Sequence, residues 1–195
     1  MEAPTAAPIG LRRSERLPAE PENERDLVRR CQEGDLAAYE EVFRRHHQPL
    51  LRVALRLLGQ REDAEDAVQM AFIKLHRSLP RFRFEASFST YLMRIAINTC
   101  YDMLATRRRD RTEEIEAVET VQPATGDLRL QLEEAIGVLP ERMRACFVLY
   151  AVEGFPQSEV ADMMDVSIGT VKAHIFQAKE RLRSLLSDPS EETTT

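Results

Sequence analysis

Apolar residues recur at helical spacing over two long stretches, Asp26 to about Arg109 and Leu128 to Leu186, and this periodicity constrains the fold more than any other feature of the chain. The stripe within 62–79 is complete: Ala64, Ala67, Val68, Ala71, Phe72 and Leu75 fall at i, i+3, i+4, i+7, i+8 and i+11, on one side of a helix. Runs of β-branched residues are few, Trp is missing, and 7 glycines stand against 31% charged residues, a composition for amphipathic helices and not for sandwiches. An all-α protein is expected. At 195 residues the chain has material for one good core or two small ones.

Punctuation along the chain divides it. Residues 1–24 hold four of the ten prolines and no periodic pattern, so a disordered tail is expected there. A first helical domain over 25–110 is interrupted near Gly34, Gly59 and Pro80–Ser87. Residues 111–127 have the composition of a solvated linker, and a second helical domain over 128–186 breaks at Leu139–Pro140, Gly154–Pro156 and Val166–Ser167. Residues 187–195 form a polar tail. The net charge of -6 speaks against nucleic acid only as an average, because it is segregated: residues 25–111 carry 17 basic and 12 acidic side chains, a net of +5, and 112–127 carry five acids and no base. Two helical bodies on an acidic tether suit a protein that holds two separate sites on something long.

Several function classes drop out. Cys31, Cys100 and Cys146 are odd in number and never spaced C-x-x-C, so neither a disulfide framework nor a zinc ribbon is supported, and a reducing cytoplasm fits. No apolar run approaches the roughly 18 residues of a membrane span, and residues 1–24 lack the apolar stretch of a signal peptide. His46 and His47 have no partner acid at metal spacing, and no H-E-x-x-H, P-loop or G-x-S-x-G is present, so no metal, no cofactor and no catalytic residue is expected. Asp63-Ala-Glu-Asp66 resembles an aspartate-rich magnesium motif, but a second acidic motif to face it is lacking, and carboxylates there suit the first turn of a helix.

Three constellations carry chemistry. From Phe155 the chain reads as a short helix started by Pro156, a turn at Asp165–Val166, and a second helix capped by Ser167. Val171, Ile175, Ala178 and Leu182 form its inward stripe, which turns Gly169, Ala173 and Phe176 outward, sets Lys172 and Gln177 on the shoulders and Thr170 and His174 toward one flank. Small and hydrogen-bonding residues followed by Lys179, Arg181 and Arg183 suit a helix in a DNA major groove; the plainer alternative is a helical hairpin with solvated cations. On helix 62–79 the face opposite the core stripe carries Met70 and Ile73 among Asp63, Asp66, Gln69, Lys74 and Arg77, as a docking surface does, unless a third helix covers them. In helix 88–105, capped by Ser87, the inward residues are Phe88, Leu92, Ile95 and Thr99, and the outward ones Thr90, Met93, Arg94, Ile97 and Tyr101. Ahead of it Arg81 and Arg83 alternate with Phe82 and Phe84; cations interleaved with rings suit single-stranded nucleic acid, and a loop anchored by its two phenylalanines is equally open.

The motifs EDAEDAVQMAFIKLHRSLPRF, FSTYLMRIAINTCYDMLATRRR and LPERMRACFVLYAVEGFPQSEVADMMDVSIGTVKAHIFQAKERL, in this order over roughly residues 25–186, resemble a bacterial sigma factor of the extracytoplasmic-function class, in the sigma-70 family. The resemblance implies a sigma-2 domain at 25–110 and a sigma-4 domain at 128–186. It implies that Asp63, Asp66, Gln69, Met70, Ile73 and Lys74 dock on the clamp helices of the largest subunit of core RNA polymerase, and that the flap of the second-largest subunit is a further partner. The loop residues Arg81, Phe82, Arg83 and Phe84, with Thr90, Tyr91, Arg94, Asn98 and Tyr101 and the run Arg107, Arg108 and Arg109, are implied to capture the melted minus-10 strand of promoter DNA. Ser167, Gly169, Thr170, Lys172, Ala173, His174, Phe176, Gln177 and Lys179 are implied to read the minus-35 element as duplex. An anti-sigma partner is implied as well. Tyr91 stands where the family commonly has Trp, and His174 and Gln177 replace positions that are often Arg, which removes cations next to the bases. The rival within DNA binding is a two-domain regulator that is no polymerase subunit, since GTVKAHI suits the response-regulator type; a receiver domain would need alternating strands and helices ahead of it.

Overall fold

The computed structural model describes residues 22–113 and 128–186, and among these no strand occurs. Four helices make the first domain: α1 (Glu22–Gln32), α2 (Leu36–Leu58), α3 (Arg61–Ser78) and α4 (Phe88–Glu113), with a 3-10 turn at Leu79–Arg81. The second holds α5 (Leu128–Gly137), α6 (Glu141–Phe147) prolonged by a π turn at Val148–Val152, α7 (Gln157–Met164) and α8 (Ile168–Leu186). The breaks are local chemistry. Asp35 caps α2 by accepting from the Ala37 and Ala38 amides, and Arg30 beside it at 2.6 Å holds its carboxyl below the usual range. Gly59 ends α2 at φ 79°, a left-handed value suited to glycine, with its N–H donated to the Leu55 carbonyl.

The stripe on α3 is buried throughout, from Ala64 to Leu75. It packs with Val28, Val42, Leu50 and Leu92 in a core that continues without a break into the second domain, through Leu149, Val160, Met163 and Val171. Ile136, Leu139, Met143, Val148, Ala178 and Leu182 form a smaller cluster. Cys31, Cys100 and Cys146 are all free and buried; burial pushes the Cys100 thiol up to about 12 and the Cys146 thiol up to about 11.

Three expectations are corrected. Helix begins at Glu22, inside the segment expected as tail, because Glu24 is buried and its carboxylate lies 3.1 Å from His46 Nε2. That pairing also gives His46 an acidic partner 22 residues away, a distance at which spacing rules are blind. The helix at 88–105 runs on to Glu113, into the expected linker, whose remainder lies outside the described residues, as do 1–21 and 187–195. The two helical domains also touch, since α4 packs on α7 and α2 meets α5, α6 and the π turn. Finally, Thr90, Met93 and Ile97 are buried, not outward, and Ile95 is only partly covered. A single-stripe assignment fails on α4 because α2, α3 and α7 all pack against it.

The loop 82–87 is held from behind. Gln32 Nε2 donates to the carbonyls of Leu79 and Phe82, both at 2.9 Å, and the Phe82 ring stacks 4.7 Å from Tyr91 and 4.9 Å from Phe84. Phe84 adopts φ 58°, strained for a residue with a Cβ, and its ring lies under the guanidiniums of Arg25 and Arg29.

Replacing Ile97 with Ala should cost about 2–5 kcal/mol in denaturant unfolding, while Asn98→Ala, one residue on and exposed, should stay within about 0.5 kcal/mol. Equal effects would return Ile97 to the surface. Gln32→Ala should free the loop and speed tryptic cleavage after Arg81 and Arg83 relative to cleavage elsewhere in the folded chain.

Candidate functional site

Three surfaces gather the candidate residues. On α3, Asp66, Gln69, Met70 and Ile73 are exposed, with Met70 at 45% and Ile73 at 53%. Among the described residues no third helix covers the two apolar side chains. The patch is wider than the α3 pattern indicates: Phe43 of α2 is 41% exposed and its ring lies 4.7 Å from Phe72, and Tyr39, Ile73, His76 and Arg77 line a shallow groove beside it. The Tyr39 hydroxyl donates to the Phe72 carbonyl at 2.8 Å, which fixes one wall. Sequence reasoning missed Phe43 and Tyr39 because they lie on another helix. Two other candidates of this group turn toward α4: Asp63 pairs with Arg107, and Lys74 Nζ lies 2.9 Å from Asp102. An exposed apolar patch rimmed by charge is the physical signature of a protein-docking surface.

The second surface is the loop with α4. Arg81 and Arg83 are exposed and Phe82, Phe84 and Tyr91 partly buried; Arg81, Phe82, Arg83 and Tyr91, with Arg77, Ser78, Glu85 and Ala86, line an open groove of about 520 Å³. The rings anchor the loop and the cations face solvent. Arg94, Asn98, Arg108 and Arg109 are exposed too. Several α4 side chains, however, point into the second domain. The Thr90 hydroxyl lies 3.5 Å from Glu159, Arg94 3.4 Å from Asp165, the Tyr101 hydroxyl 3.8 Å from the Met164 sulfur, and Arg108 3.1 Å from Glu141. Burial raises the Tyr101 phenol above its ordinary pKa, so it is a neutral donor near pH 7. Arg107 is occupied by Asp63, and Arg109 donates to Thr106 at 3.3 Å.

The third surface is α8. The turn before it is made by Asp165 at φ 54°, a left-handed value that Asp tolerates, and Ser167 Oγ caps α8 by accepting from the Thr170 amide at 3.1 Å. Val171, Ile175, Ala178 and Leu182 are buried. Gly169, Lys172, Ala173, Phe176 and Gln177 are exposed, Phe176 at 64%, and Thr170 and His174 are half-buried on one flank. Lys179 sits over the Tyr150 ring at 5.8 Å. A helix whose amino-terminal half shows small and hydrogen-bonding residues behind a tight turn has the form of a groove-reading helix. Among the described residues no group of three or more His, Cys, Asp or Glu stands together to hold a metal, and no helix is long and apolar enough to cross a membrane.

Residues 42–110 match the family model of sigma-70 region 2, and residues 129–182 that of sigma-70 region 4. The chain is 38% identical over 159 residues to the ECF RNA polymerase sigma factor SigM of Mycobacterium tuberculosis, covering 78% of this chain and 79% of that one. It is 32% identical over 173 residues to the ECF RNA polymerase sigma-E factor of Escherichia coli K12, covering 80% and 90%. Among solved structures it resembles CnrH in complex with the cytosolic domain of CnrY, at a TM-score of 0.65 and 26% identity over 83% of this chain and 96% of that one. It also resembles the sigma factor RpoE of Bartonella quintana in complex with the anti-sigma factor NepR, at 0.64 and 25% over 76% and 96%. A match to region 2 as well as region 4 disfavours the two-domain regulator, which would share only the helix-turn-helix. With both regions in order on one all-helical fold, the chain belongs to the sigma-70 family of RNA polymerase sigma factors, in its ECF class.

Proposed function

We propose that this protein is the promoter-recognition subunit that joins core RNA polymerase and starts transcription at promoters read by its two domains, in the bacterial cytoplasm and without catalysis of its own. The observation that carries the reading is the exposed pair Met70 and Ile73 on a helix whose other face is wholly buried. Apolar surface of this kind is stabilised by a partner, and the partner named for the relatives is RNA polymerase. In this reading Asp66, Gln69, Met70 and Ile73, extended by Phe43, meet the clamp helices of the largest subunit. Asp63 and Lys74 orient α3 against α4 and contribute indirectly.

For promoter DNA the division of labour follows the chemistry. Arg81 and Arg83 face solvent beside the groove lined by Phe82 and Tyr91, a cationic rim around rings that suits an unstacked base, and Asn98 is exposed further along α4. On α8, Lys172 and Gln177 flank Ala173 and Phe176 and serve as donors to base edges, with apolar contact between them. Few cations stand at the amino end of α8, so duplex affinity without polymerase is expected to be low. The resemblance to sigma factors solved with anti-sigma partners supports an anti-sigma partner here too.

Reversing charge at Asp66 together with Ile73→Ala should abolish capture of core polymerase while far-ultraviolet circular dichroism stays unchanged; retained capture would reject the docking face. Transcription with purified core enzyme on a library of genomic fragments should reveal paired upstream and downstream elements. Exchanging Lys172 and Gln177 should shift only the upstream one, and an unaltered upstream preference would remove them from base reading.

A further inference from the structure

We propose that Gln32 of α1 is a positioning residue for strand capture, one that fixes the loop 82–87 in the shape that presents the groove of Phe82 and Tyr91 and meets no strand itself; the role rests on the strand reading given above. None of the candidate strand residues lies on α1. Gln32 is the last residue of that helix and is half-buried. Its Nε2 donates to the Leu79 carbonyl and to the Phe82 carbonyl, each at 2.9 Å. These carbonyls stand at the two ends of one 3-10 turn, which the Phe82 amide closes on the Leu79 oxygen at 3.0 Å. The Leu79 oxygen thus accepts twice, and the Phe82 carbonyl, from which the chain enters the loop, is held from α1.

α1 can serve as a frame because it is anchored along its length. Near its start Glu24 is buried against His46, 3.1 Å away, and the His46 ring meets that of Phe88, the first residue of α4, edge-on at 5.4 Å. Leu27 and Val28 lie in the core, and Arg30 pairs at 2.6 Å with Asp35, the cap of α2. Arg25 and Arg29 place their guanidiniums over the Phe84 ring. The loop is therefore gripped from a helix that is itself tied to α2 and α4.

Residues 82–87 belong to no helix, and Phe84 stands among them at φ 58°. A left-handed residue with a Cβ persists only where its surroundings over-determine it. With the Gln32 amide in place the rings of Phe82 and Phe84, 4.9 Å apart, are set before a strand arrives, and binding does not have to order them. Without that amide, water can bond the two carbonyls at little cost to the fold. The loop then spreads over several shapes, few of which match a strand.

Full-length Gln32→Met keeps the length of the side chain and removes both donors, and Gln32→Ala repeats the loss with a smaller residue. Each is joined to core polymerase and titrated, at one fixed salt concentration, with a fluorescein-labelled single-stranded DNA carrying the downstream element recovered from the fragment library; core enzyme alone gives the baseline. Strand affinity should fall about tenfold, as when the loop holds its capturing shape about a tenth of the time. Capture of core polymerase and thermal unfolding should stay near those of the wild type. In a Phe82→Ala background the same change at Gln32 should weaken binding little further, because a residue that acts through the loop ring has nothing left to position. A folded Gln32→Met chain that holds the strand as the wild type does, while Phe82→Ala weakens it, overturns the positioning role. So does a loss that adds in full to that of Phe82→Ala, since Gln32 would then act apart from the loop. If Phe82→Ala itself changes nothing, the strand reading has failed, and the role of Gln32 falls with it.

Discussion

Helix α4 has neighbours on three sides, and the rest of the molecule is arranged around the need to cover it. α2 and α3 bury one part of its surface as in any small helical bundle, and α7 of the second domain buries another. Without α7, part of the continuous core that includes Leu149, Val160 and Met163 would lose its far wall. The consequence is that the two domains share apolar surface as well as ion pairs. The contact between them rests on hydrophobic burial that is steady with salt and on charged contacts that are not.

Most of what is periodic was legible in the amino-acid sequence. The α3 stripe and the α8 stripe are each one-sided, and each lies where the spacing of six and four residues puts it. The Ser167 cap and the Asp165 turn were legible too, because caps and turns are decided by neighbours in sequence. α4 was misjudged in part for the opposite reason. A helix packed on three sides has no clean polar face, so Met93 and Ile97, which read as outward against one stripe, are inward against another. Glu24 and His46, and Glu153 with Arg52 and Arg56, were invisible for a related cause: pairs separated by 22 to 101 residues leave no trace in local spacing. Phe43 and Tyr39 joined the docking patch from α2, and only the crossing of α2 with α3 brings them there.

Charge explains a different part of the design. The first domain is basic and the flanking segments acidic, but several of the arginines that make it so are already engaged: Arg107 by Asp63, Arg108 by Glu141, Arg52 and Arg56 by Glu153. Counting cations along the chain overstates the positive field offered to a nucleic acid. The cations left facing outward, Arg81 and Arg83 above all, lie beside the groove lined by Phe82 and Tyr91.

The three buried thiols bear on how such a protein learns about its surroundings. Oxidants and electrophiles react with thiolates that they can reach, and Cys100 and Cys146, held near 12 and 11 by burial, offer almost no thiolate at neutral pH. Cys31 is pushed up as well, and lies at the packed end of α1. Peroxide or a reactive metal therefore meets no redox relay in the folded chain, and attack on these sulfurs requires local unfolding first.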